Sequence, residues 1–167
     1  QRISGGKAIR TSITNNQPSK FSENKIYKDI KPRIISAYVP IEKFKTDQNM
    51  PEPYEIFFKI SSSELDFSSL QTLEKAAIEA LKFRPKKILI KGNTDRSGTL
   101  HGNRVLAAKR ANAVAKVLMK HGVPLSMLDI RSYGASAAWI DKKSSDNDER
   151  YRNTKIIFLS DNKIRYR

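Results

Sequence analysis

The sequence contains no cysteine, which removes disulfides, thiolate metal sites and cysteine nucleophiles but leaves the compartment open. It has one tryptophan, Trp139, and two histidines, His101 and His121, neither with a partner at metal-ligand spacing. No stretch approaches the roughly 20 apolar residues of a membrane span. No signal peptide is visible, and the chain opens on Gln1 rather than Met, which reads as a mature or trimmed form. A G-x-S-x-G elbow, an H-E-x-x-H helix and a phosphate-binding glycine loop are all missing. The acidic stretch Asp141, Asp146, Asp148 and Glu149 reads as a solvated turn without a general acid/base pair. A catalyst is therefore not expected, nor a metal or other cofactor.

Apolar residues are also scarce, at 38% of the 167 positions, so part of the chain cannot contribute to a packed core. The shortage is concentrated at the start. Up to Met50 the text is polar and broken by Gly5, Gly6, Asn15, Asn16 and Pro18, which marks 1–50 as an extended tether. Within it, 34–39 is a short apolar run between Pro32 and Pro40 that suits an edge strand or a docking segment. Residues 51–162 carry the regular patterns of a folded domain, and 163–167 form a basic tail. What the chain has in excess is positive charge: 32 basic against 17 acidic residues, a net +15. The excess is spread over both parts, +6 in 1–50 and +9 in 51–167. Such a field attracts polyanions without choosing among them.

The patterns predict strand, helix, strand, helix, strand, loop, strand. Tyr54–Ile60 is rich in strand formers. Ser68 with Gln71 fits a capping box, followed by Leu70, Leu73, Ala77, Ala80 and Leu81 as one apolar stripe, and Pro85 stops the helix near Phe83 or Arg84. Lys87–Lys91 reads as a buried strand and 92–102 as a glycine-jointed loop. Asn103 is a candidate cap for the second helix, which ends at His121-Gly122 ahead of Pro124. Leu128–Tyr133 and Lys155–Leu159 complete the strands, with 135–149 a polar loop containing at most one helical turn. This order suits a two-layer α/β sandwich, βαβαββ, with a mixed four-stranded sheet and its helices on one face. Trp139 is read as an anchor in a small satellite core, with a partner contact as the alternative, and Tyr151 and Arg152, near the last strand, either line a groove or cover the sheet edge. His101 and His121 are read as exposed.

The chemistry converges on 92–118. Gly92-Asn93-Thr94-Asp95 lies at a strand end, and Asn103 and Arg110, seven residues apart, lie near one face of the next helix. The strand-to-helix geometry can bring Asp95 beside Arg110. A carboxylate only accepts hydrogen bonds and a guanidinium only donates them. A zwitterion is their complement: Asp95 takes its ammonium and Arg110 its carboxylate. Taken alone, the two would be read as an ordinary ion pair, worth ~0–1 kcal/mol if exposed. The run Asn93-x-Asp95-x-Ser97-Gly98 matches the opening of a calcium loop, but position 12 is Arg104 instead of Glu.

This stretch resembles the OmpA C-terminal-like peptidoglycan-binding family, which includes the Pal lipoproteins and the stator protein MotB. The family's glycine-x-Thr-Asp turn appears as Gly92, Thr94 and Asp95, and its helix pattern as Asn103, Leu106, Arg110, Ala111, Val114 and Leu118. The fifteen residues from Asp95 to Arg110 are the family's spacing. Gly122-Val123-Pro124, Ile130, Tyr133-Gly134, Arg150 and Asn153 fit later parts of the pattern. Ala107 stands where the family has serine, Thr154 and Lys155 where it has two arginines, and Ala135 interrupts a glycine pair. The resemblance implies non-catalytic binding of peptidoglycan. Asp95 and Arg110 would hold the diaminopimelate of the peptide stem, with Gly92, Thr94, Asn103, Leu106 and Arg150 in support. It further implies a periplasmic domain of a Gram-negative bacterium, membrane-tethered through its N-terminus and attached to the outer membrane. Other subunits of an envelope-spanning complex are expected partners, and lipoproteins of type IV secretion machines, of the DotK kind, are a comparable setting. There the same fold would serve as a docking subunit, with wall binding secondary or lost. Nucleic acid is not expected as a partner, because the aromatic residues of the strands are needed for the core.

Overall fold

The computed structural model describes residues 33–34 and 50–160. The remainder of the 1–50 tether, most of the 34–39 run and the 163–167 tail lie outside the described residues. The strands are β1 (Arg33–Ile34), β2 (Tyr54–Phe57), β3 (Lys87–Asn93), β4 (Leu128–Gly134) and β5 (Asn153–Leu159). The helices are α1 (Phe67–Phe83), α2 (Leu100–Lys120) and the short α3 (Ser136–Ile140). The expected order βαβαββ is present from β2 to β5, forming a mixed four-stranded sheet. The two residues of β1 add a fifth strand at its edge, in the order β1-β4-β3-β5-β2. β5 runs antiparallel to β3 and β2, and β4 lies parallel to both β3 and β1. All strands except β5 therefore point the same way.

Period-two alternation divides the sheet into two faces. Ile56, Ile88, Ile90, Leu128, Ile130, Ile156 and Phe158 point to one side, where they join Leu73, Ala76, Ala77 and Ala80 of α1 and Ala111, Val114, Ala115 and Leu118 of α2 in a single core. Each fully buried Leu or Ile there contributes roughly 1.5–3 kcal/mol. The opposite face is mixed. Lys91 lies over the Tyr133 ring at 4.4 Å, Arg131 pairs with Asp129 at 2.5 Å, and Leu89, Ile157 and Leu159 form a small apolar cluster.

The caps and the burial of the helices correct several sequence readings. α1 is capped by Asp66, whose carboxylate accepts from the Ser69 amide at 2.7 Å, so Ser68 lies inside the helix instead of capping it. Its buried stripe runs through Ala76, while Leu70 and Leu81 are exposed. α2 is capped by Thr99, whose hydroxyl accepts from the Gly102 amide at 3.0 Å, so Asn103 sits in the helix and is not its cap. Arg84 ends α1 in the left-handed conformation, and Gly122 does the same just past α2 (φ +94°), as the glycine there predicts. A further correction concerns Trp139. It is 61% exposed, on α3, with the Arg96 guanidinium 5.2 Å from its ring, so it anchors no core. His101 and His121 are exposed, as read.

Candidate functional site

Gly92 sets the position of the site. A Cβ there would stand 2.1 Å from the Ala107 carbonyl oxygen, so only glycine lets α2 lie this close to the end of β3. The close approach carries the first three turns of α2 over the loop that leaves β3. Asp95 in that loop and Asn103, Leu106 and Arg110 on α2 then line one cleft of about 360 Å³. The far wall is Ile60 and Ser61 of the β2–α1 connection, and Ser97, Gly98 and Thr99 close the near side. The sequence-derived pair thus shares one cleft, together with Asn103 and Leu106.

The pair is not a direct ion pair, however. Asp95 is buried and partnered within its own surroundings. One carboxylate oxygen accepts from the Ser97 amide at 3.2 Å and from the Ser97 hydroxyl. The other accepts from Nη1 of Arg152 at 3.3 Å. Arg110 is fully buried. Its Nε donates to the Ser62 carbonyl at 2.8 Å, Nη1 to that of Asn93 at 3.0 Å and Nη2 to that of Lys59 at 3.1 Å. The Phe58 ring lies 5.1 Å away. Burial pulls its pKa down to about 10, opposed by the nearby Asp95 charge and reinforced by Arg152. The guanidinium still carries its proton at neutral pH. Three of its five N–H groups are engaged by these carbonyls.

Arg152 is the residue that the motif did not mark as part of the site. It lines the same cleft, donates to the Asn147 carbonyl at 3.1 Å and brings the cleft to two guanidinium groups for one carboxylate. Its position next to Tyr151 and ahead of β5 suggested a groove or a sheet edge, and the groove is where it lies. Ser97 could have been found from the Asp-x-Ser spacing, which favours a local carboxylate-to-amide turn.

The supporting residues divide. Thr94 is buried behind Asp95, with its amide donating to the Gly134 carbonyl at 2.8 Å, so it positions the loop without lining the cleft. Arg150 corrects the sequence reading. It lines a different, smaller hollow of about 70 Å³ with Lys91, Asn93, Tyr151 and Lys155, and its guanidinium is held by Asp148 at 2.5 Å and Asp141 at 3.5 Å. The acidic stretch is accordingly not a bare solvated turn. Asp141 also accepts from the Tyr151 hydroxyl at 2.6 Å, and Asp148 accepts from the Arg150 amide at 3.1 Å. Asn153 ties this region to β3 by accepting from the Asn93 side-chain amide at 2.8 Å.

A mixed sheet backed by two helices, with a charged cleft at the C-terminal end of its central parallel strand, places the molecule among the open-sheet α/β domains. The sequence pattern of the OmpA family matches residues 57–153; the chain belongs to that family. It is 35% identical over 78 residues to a peptidoglycan-associated lipoprotein of Pseudomonas putida, covering 47% of this chain and 46% of that protein. It is 29% identical over 103 residues to the outer-membrane lipoprotein YfiB of Pseudomonas aeruginosa, covering 62% and 61%. The fold is similar to the crystal structure of the peptidoglycan-associated lipoprotein from Burkholderia pseudomallei (TM-score 0.57, 25% identity, 63% of this chain and 89% of that one). It is also similar to the C-terminal domain of Helicobacter pylori MotB (TM-score 0.56, 27% identity, 67% and 87%). The chain spans about half the length of the peptidoglycan-associated lipoprotein it matches in sequence.

Proposed function

We propose that this domain binds peptidoglycan without catalysis and anchors a membrane or envelope complex to the cell wall. The observation that carries the reading is the single cleft lined by Asp95, Asn103, Leu106 and Arg110. Its ligand is the zwitterionic end of diaminopimelate in the peptide stem. The ammonium meets Asp95, and the carboxylate meets the two remaining N–H groups of Arg110 together with Arg152. Two guanidinium groups around one carboxylate favour a ligand with carboxylate in excess. Leu106 and Ile60 give the aliphatic part of the stem an apolar rim. The names of the matched lipoproteins, peptidoglycan-associated and outer-membrane, support placing the domain in the periplasm of a Gram-negative bacterium at the outer membrane. Residues 1–50 supply the tether, and further subunits of an envelope assembly are its partners.

Sedimentation with purified sacculi tests this. At a salt concentration that screens the basic surface, Asp95→Ala and Arg110→Ala should each abolish co-sedimentation, and free diaminopimelate should compete it away from the wild type. Undiminished binding by the folded double variant would remove the cleft from the function. A second reading is a docking subunit of an envelope-spanning secretion system or motor, in which wall binding is secondary or lost. It is favoured by the internal engagement of the clamp, since Arg110 is tied to three carbonyls and Asp95 to Arg152 and Ser97. Under that reading sacculi do not retain the wild type, while co-purification with envelope subunits persists.

A further inference from the structure

Trp139 anchors no core and is not among the residues that line the cleft, yet it is the sole tryptophan of the chain and stands 61% exposed. It is nevertheless held in place. α3 is rooted by Ala135 and Ala138, both buried, and the Trp139 amide donates to the Ala135 carbonyl at 3.0 Å. The Arg96 guanidinium lies 5.2 Å from the centre of the indole and covers one of its faces. Arg96 is itself fixed: Nη2 donates to the Ser144 carbonyl, and Nε is paired with Asp146 at 3.5 Å. A ring backed on one side by a tied guanidinium and still largely exposed has its other face in water. Such a face has little freedom left to lose when something stacks on it.

Arg96 also sets where the ring stands. Its neighbours in sequence, Asp95 and Ser97, line the cleft, and the Ser97 amide donates to the Asp146 carbonyl at 3.0 Å. Ring and cleft therefore share one short loop. Adjacent Cα atoms are about 3.8 Å apart and an extended arginine side chain reaches about 7 Å, so with the 5.2 Å contact the indole centre lies within roughly 16 Å of the Asp95 backbone. With diaminopimelate in the cleft, two stem residues and a lactyl ether lead to its sugar, a span of roughly 10–14 Å at about 3.5 Å per residue. The glycan strand is then within reach of the indole. A pyranose presents a face of weakly positive C–H bonds, the complement of the negative face of an aromatic ring. Asp146, 80% exposed beside Arg96, supplies an acceptor for sugar hydroxyls. The same carboxylate, with that of Glu149 at 85% exposure, opposes an anionic lipid surface as the alternative occupant.

We propose that Trp139, backed by Arg96, is a second subsite that stacks on a sugar of the glycan strand, a role that rests on the cleft binding the peptide stem of that strand. Two probes separate the subsites: the disaccharide-tripeptide released from diaminopimelate-type peptidoglycan by a muramidase, and the same tripeptide freed of its sugars by an amidase. Both are titrated into the full chain by calorimetry, while the emission of Trp139, the only tryptophan, is followed alongside. The disaccharide-tripeptide should bind about threefold to tenfold more tightly, the scale of one aromatic stacking contact, and should shift the emission. The bare tripeptide should bind without shifting it. Trp139→Ala should remove the advantage of the sugars and leave the affinity for the bare tripeptide unchanged. The wild-type comparison stands even where that variant does not fold. Equal affinities for the two probes in the wild type would overturn the proposal and leave the cleft as a peptide site, whereas binding of neither would overturn both readings. An emission shift with phosphatidylglycerol vesicles, and none with the disaccharide-tripeptide, would assign the ring to a membrane surface and equally overturn the proposal.

Discussion

Arg110 has three N–H groups committed to the carbonyls of Lys59, Ser62 and Asn93, so one side chain joins the β2–α1 connection, the end of β3 and α2. The proposed clamp would rest on this prior fixing. A guanidinium held on three sides has little freedom left to lose on binding. Arg110→Lys keeps the charge but cannot reach three carbonyls at once. Unsatisfied buried acceptors cost roughly 1–3 kcal/mol each. The substitution is expected to lower unfolding free energy by about 2–4 kcal/mol in denaturant titration, and to weaken sacculus binding more than stability alone explains. Asp95→Asn discriminates further, because it keeps the shape of the side chain while removing the charge that an ammonium requires. On the other side of the sheet the Tyr151 phenol is pushed up to about 12, chiefly by its hydrogen bond to Asp141, with desolvation and the carboxylate charge adding to it. Asp141→Asn should bring it down toward the ordinary value near 10, read from the tyrosine ring-carbon shifts in an alkaline NMR titration. An unchanged midpoint would exclude the Asp141 contact in solution.

At the scale of the elements, α2 owes its place to Gly92 and Ala107, two residues with almost no side chain. Gly92→Ala must push the helix backbone outward, because a Cβ at Gly92 would stand 2.1 Å from the Ala107 carbonyl oxygen, which belongs to backbone that cannot rotate away. A loss of about 3 kcal/mol is expected from such overpacking. Asn103, Leu106 and Arg110 would move with the helix, so sacculus binding should fall even in the fraction that remains folded. A variant that melts like the wild type would mean that α2 sits less closely than 2.1 Å implies. The order of elements was legible in the sequence because alternation in the strands and the stripes on the helices differ in period. The caps were less so. Asp66 and Ser68 both suit a first turn, as do Thr99 and Asn103, which lie four residues apart. Local preference cannot separate such neighbours, and the tertiary position of the buried stripe decides. Asp95 and Arg110 were legible through their spacing in a family pattern. Arg152 was not, since its approach to Asp95 depends on how the 141–152 stretch folds back, and Arg150, two residues away, looked equally suitable.

The whole molecule carries +15, and this complicates any measurement of wall binding, since a strongly basic protein adheres to anionic polymers regardless of its cleft. The two contributions differ in range. Contacts between exposed charges weaken once the screening length falls from about 10 Å at 0.1 M salt to about 3 Å at 1 M. A partly buried cleft that holds its ligand by directed hydrogen bonds is screened less. Retention of the wild type on sacculi should therefore decline with salt and then level off, whereas Asp95→Ala should decline toward nothing over the same range. Curves that coincide for wild type and Asp95→Ala at every salt concentration would assign wall adhesion to the basic surface alone.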